Sequence, residues 1–329
     1  MEADVNVDRE AQMLRAAQLY YYDNLTQGAI ADRLSCTRWT VGRLLEEARE
    51  SGIVTISVNH PRARIPKLEK ALIKTFGLTD AIVVKRQSSV EGALNLVASM
   101  AADYVTEMRP VPRSVGIAWG RTLTAVARAM PESWTYGLEV YQTYGGLTRS
   151  NDDVVADSIG LMARRGRGVG HMLPAPAIVS DVDLGRRLRR ERSVADTLSA
   201  APSSDMLLFS PGVLEVGSVL VRSGFLTERG LSRLQEMGAV TDIFSRFLDC
   251  DGNPVSHELE ERTIAISLDS VRKAKMSIAV AAGVVKAVPL YVALKSKLAS
   301  VAIIDEVLAE AVLEQTECHL HVDCGDGVL

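Results

Sequence analysis

Aromatic residues are scarce in this chain. Phe, Trp and Tyr together make up 5% of its 329 residues, so a core for this length must be built mainly from Ala, Val, Leu and Ile. Cysteine is scarcer still, at Cys36, Cys250, Cys318 and Cys324. Four thiols without regular spacing offer no disulfide framework and fit a reducing compartment. Basic charge is not in excess: the formal net charge is −4 and the isoelectric point is near 5.8. A whole-chain nucleic-acid footprint is therefore excluded, and any such contact must be local. The N-terminus has no basic start followed by an apolar run; it opens with Glu2, Asp4, Asp8 and Arg9, which does not read as a signal peptide. The best membrane candidate, "MSIAVAAGVVKAVPLYVAL" from Met276 to Leu294, carries Lys286 and Pro289, both costly in a lone spanning helix. It reads as a buried strand, a turn and a helix. The expectation is a soluble cytoplasmic protein with no membrane partner. Fixed-period repeats and low-complexity segments are also lacking.

What is present is a globular composition, 47% hydrophobic and 24% charged, over a length that suits two domains. Residues 9–22 read as a first helix, 27–34 as a second and 37–51 as a third, which Gly52 stops. "IVTISV" then alternates like a strand. "NHPRARIP" (59–66), with two prolines and no helical period, reads as a linker. Beyond the helix "KLEKALIKTFG", short apolar runs alternate with amphipathic segments: "DAIVVK", "SVGIAW", "LEVYQTY", "DMLLFSPG", "MSIAVAAG" and "VAIID" are the strands. Such alternation predicts a largely parallel, Rossmann-like sheet covered by helices on both faces. The fold class is thus α/β: a winged helix–turn–helix over 1–58, a linker over 59–66 and an effector-binding, oligomerising domain over 67–329.

The helix pair has the pattern of a DNA reader. Ile30, Ala31, Leu34, Val41, Leu44 and Leu45 fall on the inner faces, and Thr37 stands where its hydroxyl can cap the third helix. Arg38, Trp39, Thr40 and Arg43 then crowd its first turns, where side chains meet base edges. An arginine there can fork onto guanine O6 and N7; Trp39 and Thr40 suit a thymine methyl or a phosphate, and Gln27 suits a phosphate. A helical hairpin with surface arginines is the plainer alternative, and the joint spacing with the following strand weighs against it. Residues 1–60 hold six arginines against nine acidic residues, so attraction to phosphates is weak. Two or four heads on one oligomer would recover affinity, and Arg62, Arg64 and Lys67 of the linker region could add to it. Ser35 occupies a turn position where glycine is common, which predicts slight backbone strain.

Taken with this head, "GIAWGRTL", "GAVTDIFSRFLDCDG", "AAGVVKAVPLYVAL" and "IIDEVLAEAVL" resemble, in order and over nearly the whole chain, the SorC/DeoR-type sugar-binding transcriptional regulators. The resemblance implies a winged helix–turn–helix joined to an effector domain related to sugar-phosphate isomerases, in dimers or tetramers that respond to a sugar or its phosphate. It also implies a phosphate-contacting role for Lys286 and a place in the sugar pocket for Asp242 and Phe244. The residues add their own support. Gly120, Arg121 and Thr122 stand at a strand-to-helix turn, where free N–H groups favour an anion; a plain strand–helix turn is the alternative. Lys286 follows an apolar strand closely, a costly place for a cation unless an anion meets it; the alternative is a lysine reaching out to solvent. Tyr144, Gly145 and Gly146 form another strand end. Relatives that form a Schiff base with a deoxysugar phosphate carry a lysine near here, and Tyr144 in its place argues against covalent binding.

Two signals carry less. Cys318, His319, His321 and Cys324 lack the spacing of a known zinc finger, so no metal and no cofactor is expected. The arginine-rich stretch Gly185–Ser193 reads as a solvated helix face. The expected function is a transcriptional regulator of a carbohydrate or polyol catabolic operon, binding double-stranded operator DNA, with repression relieved by a sugar, polyol or sugar phosphate as the favoured logic. The alternative is an isomerase-like enzyme with an appended head, for which Asp242 and Asp305 are the candidate bases; a DNA binder with a vestigial pocket is a third reading.

Overall fold

The structure, a computed structural model, describes residues 2–54, 63–146, 154–218, 221 and 226–321. The chain divides into two compact units, Met1–His60 and Pro61–Leu329.

The first unit holds three helices: α1 (Glu2–Tyr21), α2 (Gln27–Leu34) and α3 (Arg38–Glu50). Helix α1 begins seven residues before the expected start. Apolar side chains at helical spacing close a small core: Ala16, Ala17 and Leu19 of α1, Ile30 and Ala31 of α2, and Val41, Leu44 and Leu45 of α3. Thr26 caps α2, accepting from the Ala29 N–H at 3.3 Å, and Thr37 caps α3, accepting from the Thr40 N–H at 3.1 Å. Ser35 ends α2 at φ +50°, the left-handed conformation the sequence suggested it must adopt without glycine's freedom. Of the expected wing strand only Ile53 and Val54 are described; residues 55–62 lie outside the described residues.

The expected linker overlaps the second unit. The Ile65 N–H donates to the Val83 carbonyl at 2.9 Å, and Arg64 donates to Glu69 at 2.8 Å and to the Ala81 carbonyl at 3.0 Å. Glu69 is buried and also accepts the Val83 N–H, so it requires a nearby cation. Its pairing holds the Arg64 pKa above the usual value and commits that guanidinium to the fold rather than to a phosphate.

Next come α4 (Pro66–Phe76), β1 (Asp80–Val84), α5 (Val90–Glu107), β2 (Ser114–Ile117), α6 (Arg121–Ala129), β3 (Glu139–Gln142), α7 (Val154–Arg165), β4 (Val169–His171), α8 (Val182–Arg190), α9 (Arg192–Ser203) and β5 (Met206–Phe209). The chain continues through β6 (Gly212–Val213), α10 (Glu228–Glu236), β7 (Thr241–Ile243), β8 (Arg246–Leu248), α11 (His257–Arg262), α12 (Leu268–Arg272), β9 (Ser277–Ala281), a 3-10 turn (Val284–Lys286), α13 (Ala287–Lys295), β10 (Val301–Asp305) and α14 (Glu306–His321). Seven strands form one sheet in the order β1-β10-β9-β5-β2-β3-β4, and every pairing in it is parallel. Strands β5, β9 and β10 are buried at every position, as strands covered on both faces must be. Small residues let α5 lie close on the sheet: Ala93, Ala98, Ala101 and Ala102 are buried along one side of it. A second, antiparallel sheet, β6-β7-β8, was not anticipated. The run from Met276 to Leu294 folds as strand, 3-10 turn and helix, as its lysine and proline suggested.

Strand order fixes where a ligand crevice can form. From β2 the chain moves outward to β3 and β4, then returns to β5 on the other side of β2. In parallel sheets such a reversal opens a crevice at the carboxyl ends of the two strands.

Candidate functional site

Helix α6 begins at that crevice. Gly120 precedes it at φ +138°, a conformation that only glycine adopts without strain, and no atom lies within 4 Å of where a Cβ would stand. No side chain caps the helix start. Its first N–H groups thus remain without intrahelical partners, at the positive end of the helix dipole. Arg121 is exposed and Thr122 is buried beside it. Across the crevice, at the end of β5, the Ser210 hydroxyl lies 3.4 Å from the Thr122 hydroxyl.

Lys286 completes this group from the end of β9. Its ammonium donates to the Ser210 Oγ at 2.6 Å and to the Pro211 carbonyl at 3.1 Å. No carboxylate pairs with it among the described residues. Burial, and secondarily the Arg121 charge, push its pKa down to about 8. The turn that carries Lys286 is held by Asp305, whose carboxylate accepts the Gly283 N–H at 2.8 Å, with Gly283 at φ +89°. Gly120, Arg121, Thr122 and Lys286, four of the residues singled out in the sequence, therefore converge, and Ser210 joins them. Its signal was legible only afterwards: a hydroxyl at a strand end, followed by proline.

Asp242 lies on β7 opposite Gly212, which places it one residue from Pro211. One of its carboxylate oxygens, Oδ1, is buried without a hydrogen-bond partner. Burial raises its pKa to about 7. The Tyr144 hydroxyl, in turn, is pushed well up by burial and by the Asp242 charge. Trp119, Tyr144, Phe209 and Phe244 form a continuous aromatic wall, with ring centroids of 4.9 Å for Trp119–Tyr144, 6.2 Å for Tyr144–Phe244 and 5.1 Å for Phe209–Phe244.

Gly145 and Gly146 are otherwise occupied. The Gly145 N–H donates to the Ile264 carbonyl at 2.9 Å, and its carbonyl accepts from the Trp119 indole at 3.1 Å. The Gly146 N–H donates to Ala175 and its carbonyl accepts from Ala177. A Cβ on Gly145 would stand 2.3 Å from the Pro176 carbonyl oxygen, so this glycine allows two backbones to pass. The Tyr144 hydroxyl donates to the Trp119 carbonyl at 3.1 Å. Arg246, which sequence reasoning passed over, is 4% exposed; it clasps Glu260 at 2.7 Å and the Ile266 carbonyl at 2.6 Å, holding β8 in place. A separate cleft of about 400 Å³, lined by residues including Ile178, Leu226, Arg233, Phe247 and Leu259, shares no residue with the crevice.

On the helical unit, Arg38, Trp39 and Arg43 are exposed along α3, and the Thr37 and Thr40 hydroxyls bond each other at 2.8 Å. Gln27 opens α2 with its side chain toward Gly42 of α3. In the arginine-rich stretch, Arg186 pairs with Glu261 and Arg189 donates to the Thr263 and Glu261 carbonyls. That stretch is in part a clamp between α8 and α11. Among the described residues no cluster of His, Cys, Asp or Glu could hold a metal ion, and no helix is long and apolar enough to cross a membrane. The side chains of Cys318 and Cys324 fall outside the described residues.

Comparison with known proteins agrees with this architecture. The Sugar-bind family model, described as a "putative sugar-binding domain", matches residues 61–314. The deoxyribonucleoside regulator of Bacillus subtilis is 32% identical over 311 residues, covering 93% of this chain and 99% of that protein. The full-length sorbitol operon regulator SorC of Klebsiella pneumoniae superposes with a TM-score of 0.67 at 26% identity, covering 93% and 99% of the two chains. A DeoR family regulator from Listeria monocytogenes superposes with a TM-score of 0.66 at 26% identity, over 75% of this chain and 98% of that one. These relatives are transcriptional regulators rather than enzymes. With its parallel sheet, its helical head and this match along nearly its whole length, the chain belongs to the SorC/DeoR-type sugar-binding transcriptional regulators.

Proposed function

We propose that this regulator binds double-stranded operator DNA of a carbohydrate or polyol catabolic operon, and that a phosphorylated sugar or polyol in the crevice lowers its operator affinity. The observation that carries this reading is the Lys286 ammonium: it sits at a strand end with only neutral oxygens as partners, beside Arg121 and an uncapped helix start. A desolvated cation without a carboxylate is stabilised by an incoming anion. Gly120, Arg121, Thr122, Ser210 and Lys286 seat the phosphate. Asp242, with its free buried oxygen, takes a hydroxyl of the ligand, and Trp119, Tyr144 and Phe244 wall the carbon skeleton. Gly145 and Gly146 shape the wall from behind.

Gln27, Thr37, Arg38, Trp39, Thr40 and Arg43 form the DNA-reading set. The chain works as a dimer or tetramer, since one head whose arginines are outnumbered by its acidic residues holds DNA weakly. The ligand acts only through its differing affinity for the two arrangements of the oligomer. Relatives named for deoxyribonucleosides and sorbitol direct the choice of compounds: pentose, deoxypentose and hexitol phosphates and their unphosphorylated parents. A thermal-melt screen of that panel tests the reading. At least one phosphate ester raises the midpoint and its parent does not; a panel in which no compound shifts the midpoint defeats it.

A further inference from the structure

The helix proposed to read DNA carries an exposed indole in its first turn. Trp39 is 71% exposed in the first turn of α3. An indole left in water there has no folding role, since the core of this unit closes without it. Nor is it loose. The Arg43 guanidinium lies 5.2 Å from the ring centroid, one helical turn on. Arg43 is held by Glu47 at 3.0 Å, and Glu47 is held by Arg9 of α1 at 2.9 Å. The chain of contacts Arg9–Glu47–Arg43–Trp39 fixes one face of the indole and leaves the rest of the ring outward.

Its neighbours present less apolar surface: Thr40 is half-buried and has a single methyl to offer, and Arg38 is a cation suited to guanine or phosphate. In the major groove the one apolar group a base pair presents is the thymine C5-methyl. We infer that Trp39 is a specificity-determining residue that reads the C5-methyl group of a thymine in the operator. This inference rests on the DNA-reading role proposed above for α3.

Deoxyuridine substitution tests it, because it removes the methyl group and nothing else. A preferred duplex is first selected from random sequence with the full-length chain, with and without added sugar phosphate. Each thymine is then replaced singly by deoxyuridine and the affinity measured. At least one position loses about 4-fold, the worth of one buried methyl group. In Trp39→Ala the same position becomes indifferent to the replacement, and in Trp39→Phe, which keeps an apolar ring, part of the sensitivity persists. A wild-type chain that holds its selected duplex but ignores every replacement overturns the inference and leaves the DNA reading standing. Sensitivity that survives in Trp39→Ala assigns the methyl to another residue and also overturns it. Selection of no duplex at all removes both.

Discussion

Lys286 and Ser210 meet at 2.6 Å across the carboxyl ends of β9 and β5, at the centre of the proposed effector site. It joins a cation that arrives by a strand–turn to a hydroxyl that also touches Thr122 of α6. The crevice therefore gathers Lys286, Ser210 and Thr122 at one end.

Removing the ammonium separates ligand sensing from DNA binding. Lys286→Met leaves the unliganded midpoint within a change worth about 1 kcal/mol, because the lost hydrogen bonds are offset by removal of a desolvated charge. The melting shift with a phosphate ester disappears and operator affinity is retained. Thermal melts and fluorescence anisotropy measure the two halves. Equal loss of both would place Lys286 in the scaffold rather than in the site.

Two titrations set the pH behaviour. Asp242 ionises near 7 in the folded chain, well above an unfolded aspartate, so the native state holds the proton over the range between. Stability falls as pH rises from about 4 to about 7, and Asp242→Asn flattens that slope. Lys286 runs the other way: its folded value of about 8 lies below the unfolded one, so its contribution to stability grows as pH rises above about 8. A bound phosphate favours the ammonium form, so ligand affinity weakens above about pH 8. Melts and ligand titrations at several pH values check both signs; a ligand affinity flat across pH 7–10 contradicts the role of Lys286.

The sequence reading reached the parallel sheet because its strands are covered on both faces and so appear as unbroken apolar runs such as "SIAVA" and "VAIID". It did not reach β6, β7 and β8, which are two or three residues long, with a turn through Phe244 and Ser245 at positive φ and no glycine to mark it. β4 escaped for a similar reason: "VGH" is too short to show a period. Lys286 was visible because a charge in an apolar run stands out. Arg246 was not, because one arginine among many reveals its burial only when Glu260 and the Ile266 carbonyl are brought to it from later in the chain.

Gly145 separates structure from ligand contact in the opposite way to Lys286. Gly145→Ala drives a Cβ into the Pro176 carbonyl and destabilises the chain by about 3 kcal/mol or more. Chemical denaturation measures it. A variant of normal stability with altered ligand affinity would return this glycine to the pocket.

The helical head has two stability handles of opposite sign. Thr37→Ala removes the cap of α3 at a cost of about 1 kcal/mol. Ser35→Gly relieves the left-handed turn and stabilises the unit by about 1 kcal/mol. Hydrogen exchange of the α2 and α3 amides in the full chain reports both, and shifts of the same sign would contradict this description of the turn.

Arg38→Ala weakens the preferred duplex relative to random duplexes by about 1–3 kcal/mol, the worth of one forked guanine contact, with ligand melting shifts unchanged. Competition titrations against both duplex types check it.

The most direct measurement is operator affinity of the full-length chain with and without the phosphate ester that best raises its melting midpoint. The account predicts that saturating ester weakens the preferred duplex at least tenfold and that Lys286→Met abolishes the response. An affinity indifferent to the ester in the wild-type chain would contradict it.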